Sequence, residues 1–263
     1  VDDSVLIMNR HEHEAMDPVR RDWRGATGHI GSRLLVNALA DPDEVSRRLP
    51  KGLRPHIIDG GSVIGCCLLE LSEMRLGPVP AQLGHRMLAV AHRLSVEWTS
   101  PSGEAVVGVY VPLRLTGSRL ATLAGGRVVP GAHRHARLSV NRDSERLRWW
   151  ADPAGSPTGY GLDVEVDTVS SVDDPQPVVG SACLDAQLGL SPGRGGRLEA
   201  VRMMPTRAEA RPVVTRAVNS TFLNGFSGAV PTTSYLMEDV DVSWSPSPKM
   251  VPLSVAAVPE SVR

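Results

Sequence analysis

Lysine is almost absent from this chain. Only Lys51 and Lys249 are lysines among 28 basic residues, so the other 26 are arginines. That shortage narrows the chemistry, because a lysine amine can form an imine with a carbonyl and a guanidinium cannot. Charge of one sign is also missing: the formal net charge is −1 with no block of like charge. A general nucleic-acid or membrane-surface binder needs a basic excess, so neither partner is expected. No apolar run approaches the roughly 20 residues that span a bilayer, and the opening VDDSVLIMNRHEHEAMD lacks the layout of a signal peptide. The three cysteines have no metal spacing: Cys66 and Cys67 are neighbours and Cys183 stands alone. They are expected to be small packing residues in a reducing cytoplasm. The Gly-rich SPGRGGR (191–197) lacks the Lys-Ser/Thr of a phosphate-binding loop. No cofactor is expected.

What is present is a β pattern. Aromatics make up 4% of the chain and hydrophobic residues 41%, so an ample core must be built mainly from Val, Leu and Ala. HIGSRLLVNALA (29–40) reads as a strand leading into a short helix at about 42–49, with Asp41 as N-cap, Pro42 at N1 and Glu44 at N3. SVIGCCLLEL (62–71) is a near-continuous apolar run, as in a strand buried on both faces. RLSVEWT (93–99) alternates, with Leu94, Val96 and Trp98 on one side and Arg93, Ser95 and Glu97 on the other. It predicts a hairpin with AVVGVYVPLRL (105–115), and HARLSVNRD (135–143) with LRWWAD (147–152) predicts a second. Ser118 to about Leu123 reads as a helix ending at Gly125-Gly126. GLDVEVDTV (161–169), RLEAVRMMP (197–205) and SYLMEDVDVSW (234–244) continue the strands. Pro- and Gly-rich breaks at 153–159, 173–177 and 191–196 are short, which favours one β-rich domain over two.

The order RRLPKGLRPHIIDGGSVIGCCLLEL, VPAQLGHRMLAVAHRLSVEW, GVYVPLRLTGSRLATLAGGRVVPGAHRHARL and the closing SYLMEDVDVSWSP resembles the acetoacetate decarboxylase-like superfamily. It is most similar to that superfamily's bacterial YqjF-like branch. The resemblance covers residues 28–250, leaving 1–27 as an N-terminal arm and 251–263 as a tail. It implies an α+β, mostly β fold: a cone-like antiparallel β-barrel with peripheral helices around a small-molecule pocket. In the family, a Schiff-base lysine follows the strand equivalent to Ala105–Arg114, which falls within Leu115–Arg119 of this sequence. No lysine stands there. The resemblance therefore implies a carbonyl or carboxylate metabolite as substrate, handled by acid/base chemistry of lyase or cyclase type. It also implies a bacterial, biosynthetic setting. A pocket that lost its nucleophile and only binds is the rival reading. Oligomerisation is left open.

Candidate site residues follow from that frame. Arg114 suits bidentate capture of a carboxylate, and reads equally well as a solvated strand end. Tyr110 lies an even number of residues away, which would put both on one face. Glu97 is a proton-transfer candidate if its face points inward, although the Arg93/Ser95/Glu97 side reads more simply as the wet face. Thr116, Ser118 and Arg119 occupy the former lysine region, and with His92 complete the expected substrate contacts. His133 and His135 share a strand face and could ligate a metal with a third partner among His29, His85 and His92. No spacing singles one out, so surface histidines are favoured and no metal is expected.

Overall fold

A computed structural model describes residues 25–77, 80–125, 130–152, 160–171, 186–193, 197–207 and 209–252. His11, His13, Gly126, Cys183 and the breaks at 153–159 and 173–177 lie outside the described residues. Sixteen strands are present among those described. The first eight are β1 (Ala26–Ala40), β2 (Arg54–Pro55), β3 (Ile57–Ile58), β4 (Gly61–Leu76), β5 (His85–Thr99), β6 (Ala105–Tyr110), β7 (Arg114–Thr116) and β8 (His133–His135). The rest are β9 (Arg137–Arg142), β10 (Arg146–Asp152), β11 (Leu162–Ser171), β12 (Leu188–Pro192), β13 (Leu198–Pro205), β14 (Arg211–Ser220), β15 (Val230–Pro231) and β16 (Ser234–Pro246). Three short helices accompany them: α1 (Pro42–Ser46), α2 (Arg119–Ala124) and α3 (Thr221–Asn224).

Seven strands close into a barrel in the order β1-β4-β5-β6-β12-β13-β16, and β16 returns to pair with β1. All these pairings are antiparallel except β6 with β12. The start of β16 also pairs with β14, from which β11, β10 and β9 extend as a second layer. Both expected hairpins form, as β5–β6 and β9–β10.

Cross-strand register assigns the two faces of the wall, because opposite residues share a face and successive residues alternate. One face carries Leu34, Val36, Cys66, Leu68, Val90, His92, Leu94 and Tyr110. These join Leu147, Trp149, Val164 and Val166 of the second layer in the main hydrophobic core. The other face carries Arg33, Leu35, Asn37, Cys67, Ala91, Arg93 and Val109. Its apolar members gather in clusters that span non-adjacent strands, as Leu71 of β4 and Val242 of β16 do with Ile30 of β1. That face is the barrel lumen. β4 is buried on both sides for this reason, which explains its unbroken apolar run.

Local chemistry sets the helices. Asp41 caps α1 by accepting from the Asp43 and Glu44 amides, and Ser118 caps α2 by accepting from Ala121 N–H. Gly125 ends α2 with φ −59, so this end uses no left-handed residue. Near the end of the described chain, Trp98 Nε1 donates to the Met250 carbonyl at 2.7 Å, fastening that segment to β5.

Candidate functional site

The lumen gathers positive charge, and for two of its arginines no carboxylate among the described residues pairs with the guanidinium. Arg33 is 1% exposed and sits on β1 between Ile30 and Leu35, beside the apolar run Leu34–Val36. Its Nε donates to Cys67 Sγ at 3.5 Å, and no carboxylate among the described residues pairs with it. Arg114 on β7 donates from Nη1 to Ser191 Oγ at 2.8 Å and likewise lacks a carboxylate partner. Burial pulls its guanidinium down to about 10, so it remains protonated at neutral pH. Arg93, 4% exposed, projects from the same face of β5. Asn37 is 1% exposed and neither its amide oxygen nor its amide nitrogen has a hydrogen-bond partner.

Small wall residues make room for this set. Gly65 faces Asn37 across β1–β4, and a Cβ there would lie 2.7 Å from Asn37 Oδ1. Ala91 separates Cys67 from Arg114 in one cross-strand row. Gly131 has φ +103, and a Cβ on it would meet Arg114 Nη1 at 2.1 Å, so only glycine lets this guanidinium pass.

A buried cation without a partner is costly, since desolvation outweighs what a neutral hydroxyl or thiol returns. Arg33 is such a group, Arg114 is half-buried on the same lumen, and guanidinium geometry matches a carboxylate. An open groove of about 600 Å³ outside the lumen, lined in part by His29, Glu70, Arg86 and Arg142, carries its arginines exposed to solvent and mixes both signs of charge. There His29 pairs with Asp239 and Asp241, and Arg142 with Glu70 and Glu238.

The structure separates the residues that sequence reasoning had grouped. Tyr110 and Arg114 lie on opposite faces, which corrects the even-spacing argument. Tyr110 pairs with Leu94 but Arg114 pairs with Ala91, a register shift of one residue across Val111-Pro112-Leu113. Proline has no N–H for the ladder, and one extra residue flips every later side chain. Tyr110 is therefore in the outer core, where burial pushes its hydroxyl above its ordinary range. His92 is there too, packed against Tyr160 and Phe222, with Nδ1 donating to the Leu113 carbonyl. Burial pulls it down to about 4.

The Arg93/Ser95/Glu97 side is a second correction, for it is the barrel interior and not a wet face. Arg93 and Ser95 are buried, whereas Glu97 reaches the rim and pairs with Arg54 at 3.2 Å, away from Arg114. Thr116 faces the lumen and accepts from the Ser118 amide. Ser118 is engaged with His85 at 2.7 Å and with the α2 N-terminus, and Arg119 is exposed.

His133 pairs with Arg114 across β7–β8, and His135, which is exposed, pairs with Thr116. No group of three or more metal-ligating side chains occurs among the described residues. His133 Nδ1 donates to the Gly131 carbonyl at 2.9 Å, while burial and then the Arg114 charge push it down to about 4. Arg33, Asn37, Cys67 and Ser191 were missed. The first two had a visible signal, since an arginine and an asparagine four apart share one strand face and bracket the apolar run Leu34–Val36.

Solved structures supply the fold. Acetoacetate decarboxylase from Legionella pneumophila superposes with TM-score 0.58 at 9% identity, covering 86% of this chain and 88% of that one. The chain has the acetoacetate decarboxylase-like fold. An acetoacetate decarboxylase-like enzyme from Sphingomonas wittichii RW1 gives TM-score 0.57 at 10% identity, covering 89% and 94%. The enduracididine biosynthesis enzyme MppR complexed with pyruvate gives 0.55 at 12%, covering 85% and 88%. No protein-family model and no curated protein matches the sequence. Both lysines of this acetoacetate decarboxylase-like chain are exposed: Lys51 follows α1, and Lys249 lies in a 3-10 turn at Pro248–Met250. No helix among the described residues is long and apolar enough to cross a membrane.

Proposed function

We propose that the barrel binds a small carboxylate-bearing carbonyl metabolite in its lumen and acts on it without a Schiff base. The carrying observation is the pair Arg33 and Arg114, two lumen guanidiniums with no carboxylate partner among the described residues. Arg114 anchors the carboxylate, Thr116 lies beside it on the same face, and Arg33 with Asn37 meets the carbonyl end. His133, paired across from Arg114, is the proton acceptor, because its bond to Gly131 leaves Nε2 as a neutral lone pair. Tyr110 and His92 are left out, being on the far side of the wall. Lyase or cyclase chemistry fits a site that stabilises enolate-like negative charge. A bacterial, cytoplasmic, biosynthetic role in the YqjF-like branch accords with this, and the complex of MppR with pyruvate makes pyruvate the first compound to try.

The test is calorimetric titration of pyruvate and acetoacetate, with borohydride added in parallel. Micromolar-to-millimolar binding, weakened about tenfold or more in Arg114→Gln and giving no borohydride-stable mass adduct, supports the reading. Equal affinity in the variant, or an adduct, sinks it. The rival is a binding protein without turnover. It is favoured by the removal of Glu97 to the rim and Tyr110 to the outer core, and it stands if every ligand that binds is returned unchanged.

A further inference from the structure

Cys67 combines, in the lumen, the most nucleophilic kind of side chain with a built polar setting. Its sulfur receives the Arg33 Nε–H at 3.5 Å. It lies in a single cross-strand row with Ala91 and Arg114, so two strand spacings, about 10 Å of backbone, separate it from Arg114. Ala91 occupies the middle of that row with only a methyl group, the smallest side chain on the stretch between the thiol and the guanidinium. Asn37 supplies an independent sign of a ligand, for its buried amide is unpartnered and faces the same lumen one row away.

We propose that Cys67 is the covalent nucleophile of this barrel, attacking the carbonyl carbon of a small keto acid whose carboxylate is held by Arg114. This inference rests on the anion-binding reading given above. The sulfur electron pair forms the C–S bond, the C=O π pair moves to oxygen, and the thiol proton ends on that oxygen. The product is a thiohemiketal, and no oxidant or further reactant is consumed. Asn37 is placed to donate to the developing oxyanion through its amide nitrogen. The barrel would thereby hold its substrate covalently where an imine-forming relative uses an amine.

Paired alkylation tests this on the intact protein. Iodoacetate carries a carboxylate and iodoacetamide does not, and each transfers its carbon to sulfur with loss of iodide. Mass mapping of peptides then locates the label. Cys67 is expected to react about tenfold faster with iodoacetate than with iodoacetamide, a ratio that falls to about one or below in Arg114→Gln. Pyruvate should protect it. Cys66, on the opposite face with its thiol pushed up to about 12 by burial, is the internal control and should stay unlabelled. Unfolding in guanidinium should abolish the preference. A Cys67 that is inert, or that reacts without preference for the anion, overturns the proposal. If pyruvate still binds in an Arg114-dependent way, the nucleophile alone falls; if it does not, the anion-binding lumen falls with it.

Discussion

His92 and Arg93 are adjacent on β5 and both are buried, yet they meet opposite environments. His92 enters a dry core between the barrel wall and the second layer, where burial holds it neutral. Arg93 enters the lumen among Arg33, Arg114, Asn37 and Cys67. Cys66 and Cys67 repeat the contrast one strand away, the first beside Ser220 in the core and the second beside Arg33. A strand period of two residues is enough to place a charged receptor and an apolar core within one wall thickness. Stability should therefore be governed by the outer face and recognition by the inner one.

The sharpest way to break that division is Trp149→Ala. Trp149 is fully buried against the outer face of the barrel, and its removal leaves a large cavity in the main core. The loss should be about 3–5 kcal/mol in denaturant unfolding. Below its lowered melting temperature the variant should still bind pyruvate with unchanged affinity. A variant that keeps its stability, or that loses binding while folded, would show that the two faces are not separable.

Acid should act through the outer face as well. The folded pKa of His92, about 4, lies below its ordinary value of 6.5, so the unfolded chain takes up a proton first. Stability present above pH 6.5 is then lost as pH falls towards 4, by roughly 3 kcal/mol at the lower end. His133 is lowered to the same value and titrates in the same window, so His92→Phe should remove about half of this slope in urea titrations at stepped pH. Persistence of the full slope in that variant would assign it to other groups.

Much of the fold was legible in the residues, and the reason is periodicity. Alternation in 93–99, 161–169 and 234–244 marked strands, and the unbroken run 62–71 marked a strand covered on both faces. The Asp41-Pro42 start of α1 was legible from capping chemistry alone. The site was legible only in part, because inside and outside of a barrel both read as buried. The expected partnership of Arg114 with Tyr110 fails on a one-residue shift at Pro112 that alternation cannot register. Arg93 was read as solvated because charge on a strand ordinarily faces water, whereas a lumen reverses that rule.

Arg33→Met probes the inner face by the opposite sign of effect. A lumen cation without a carboxylate partner raises the free energy of the folded chain, so a similar-sized apolar side chain should stabilise it by about 1–2 kcal/mol. Carboxylate affinity should fall in the same variant. Destabilisation instead would mean that the contact with Cys67 outweighs the cost of burying the charge.

The smallest effect is expected at the rim. Glu97 belongs to the lumen-facing side of β5, but its Oε1 pairs with Arg54 Nε at 3.2 Å where both side chains are substantially exposed. Solvent-screened pairs of this kind contribute less than about 0.5 kcal/mol. Glu97→Gln should accordingly leave unfolding, pyruvate affinity and any turnover close to wild type. A large fall in turnover with binding retained would return Glu97 to the chemistry. It would mean that the rim, with Arg54 as the displaced partner, closes over the ligand when it is bound. The boundary between receptor and scaffold would then lie one strand residue further out than the register of β5 places it.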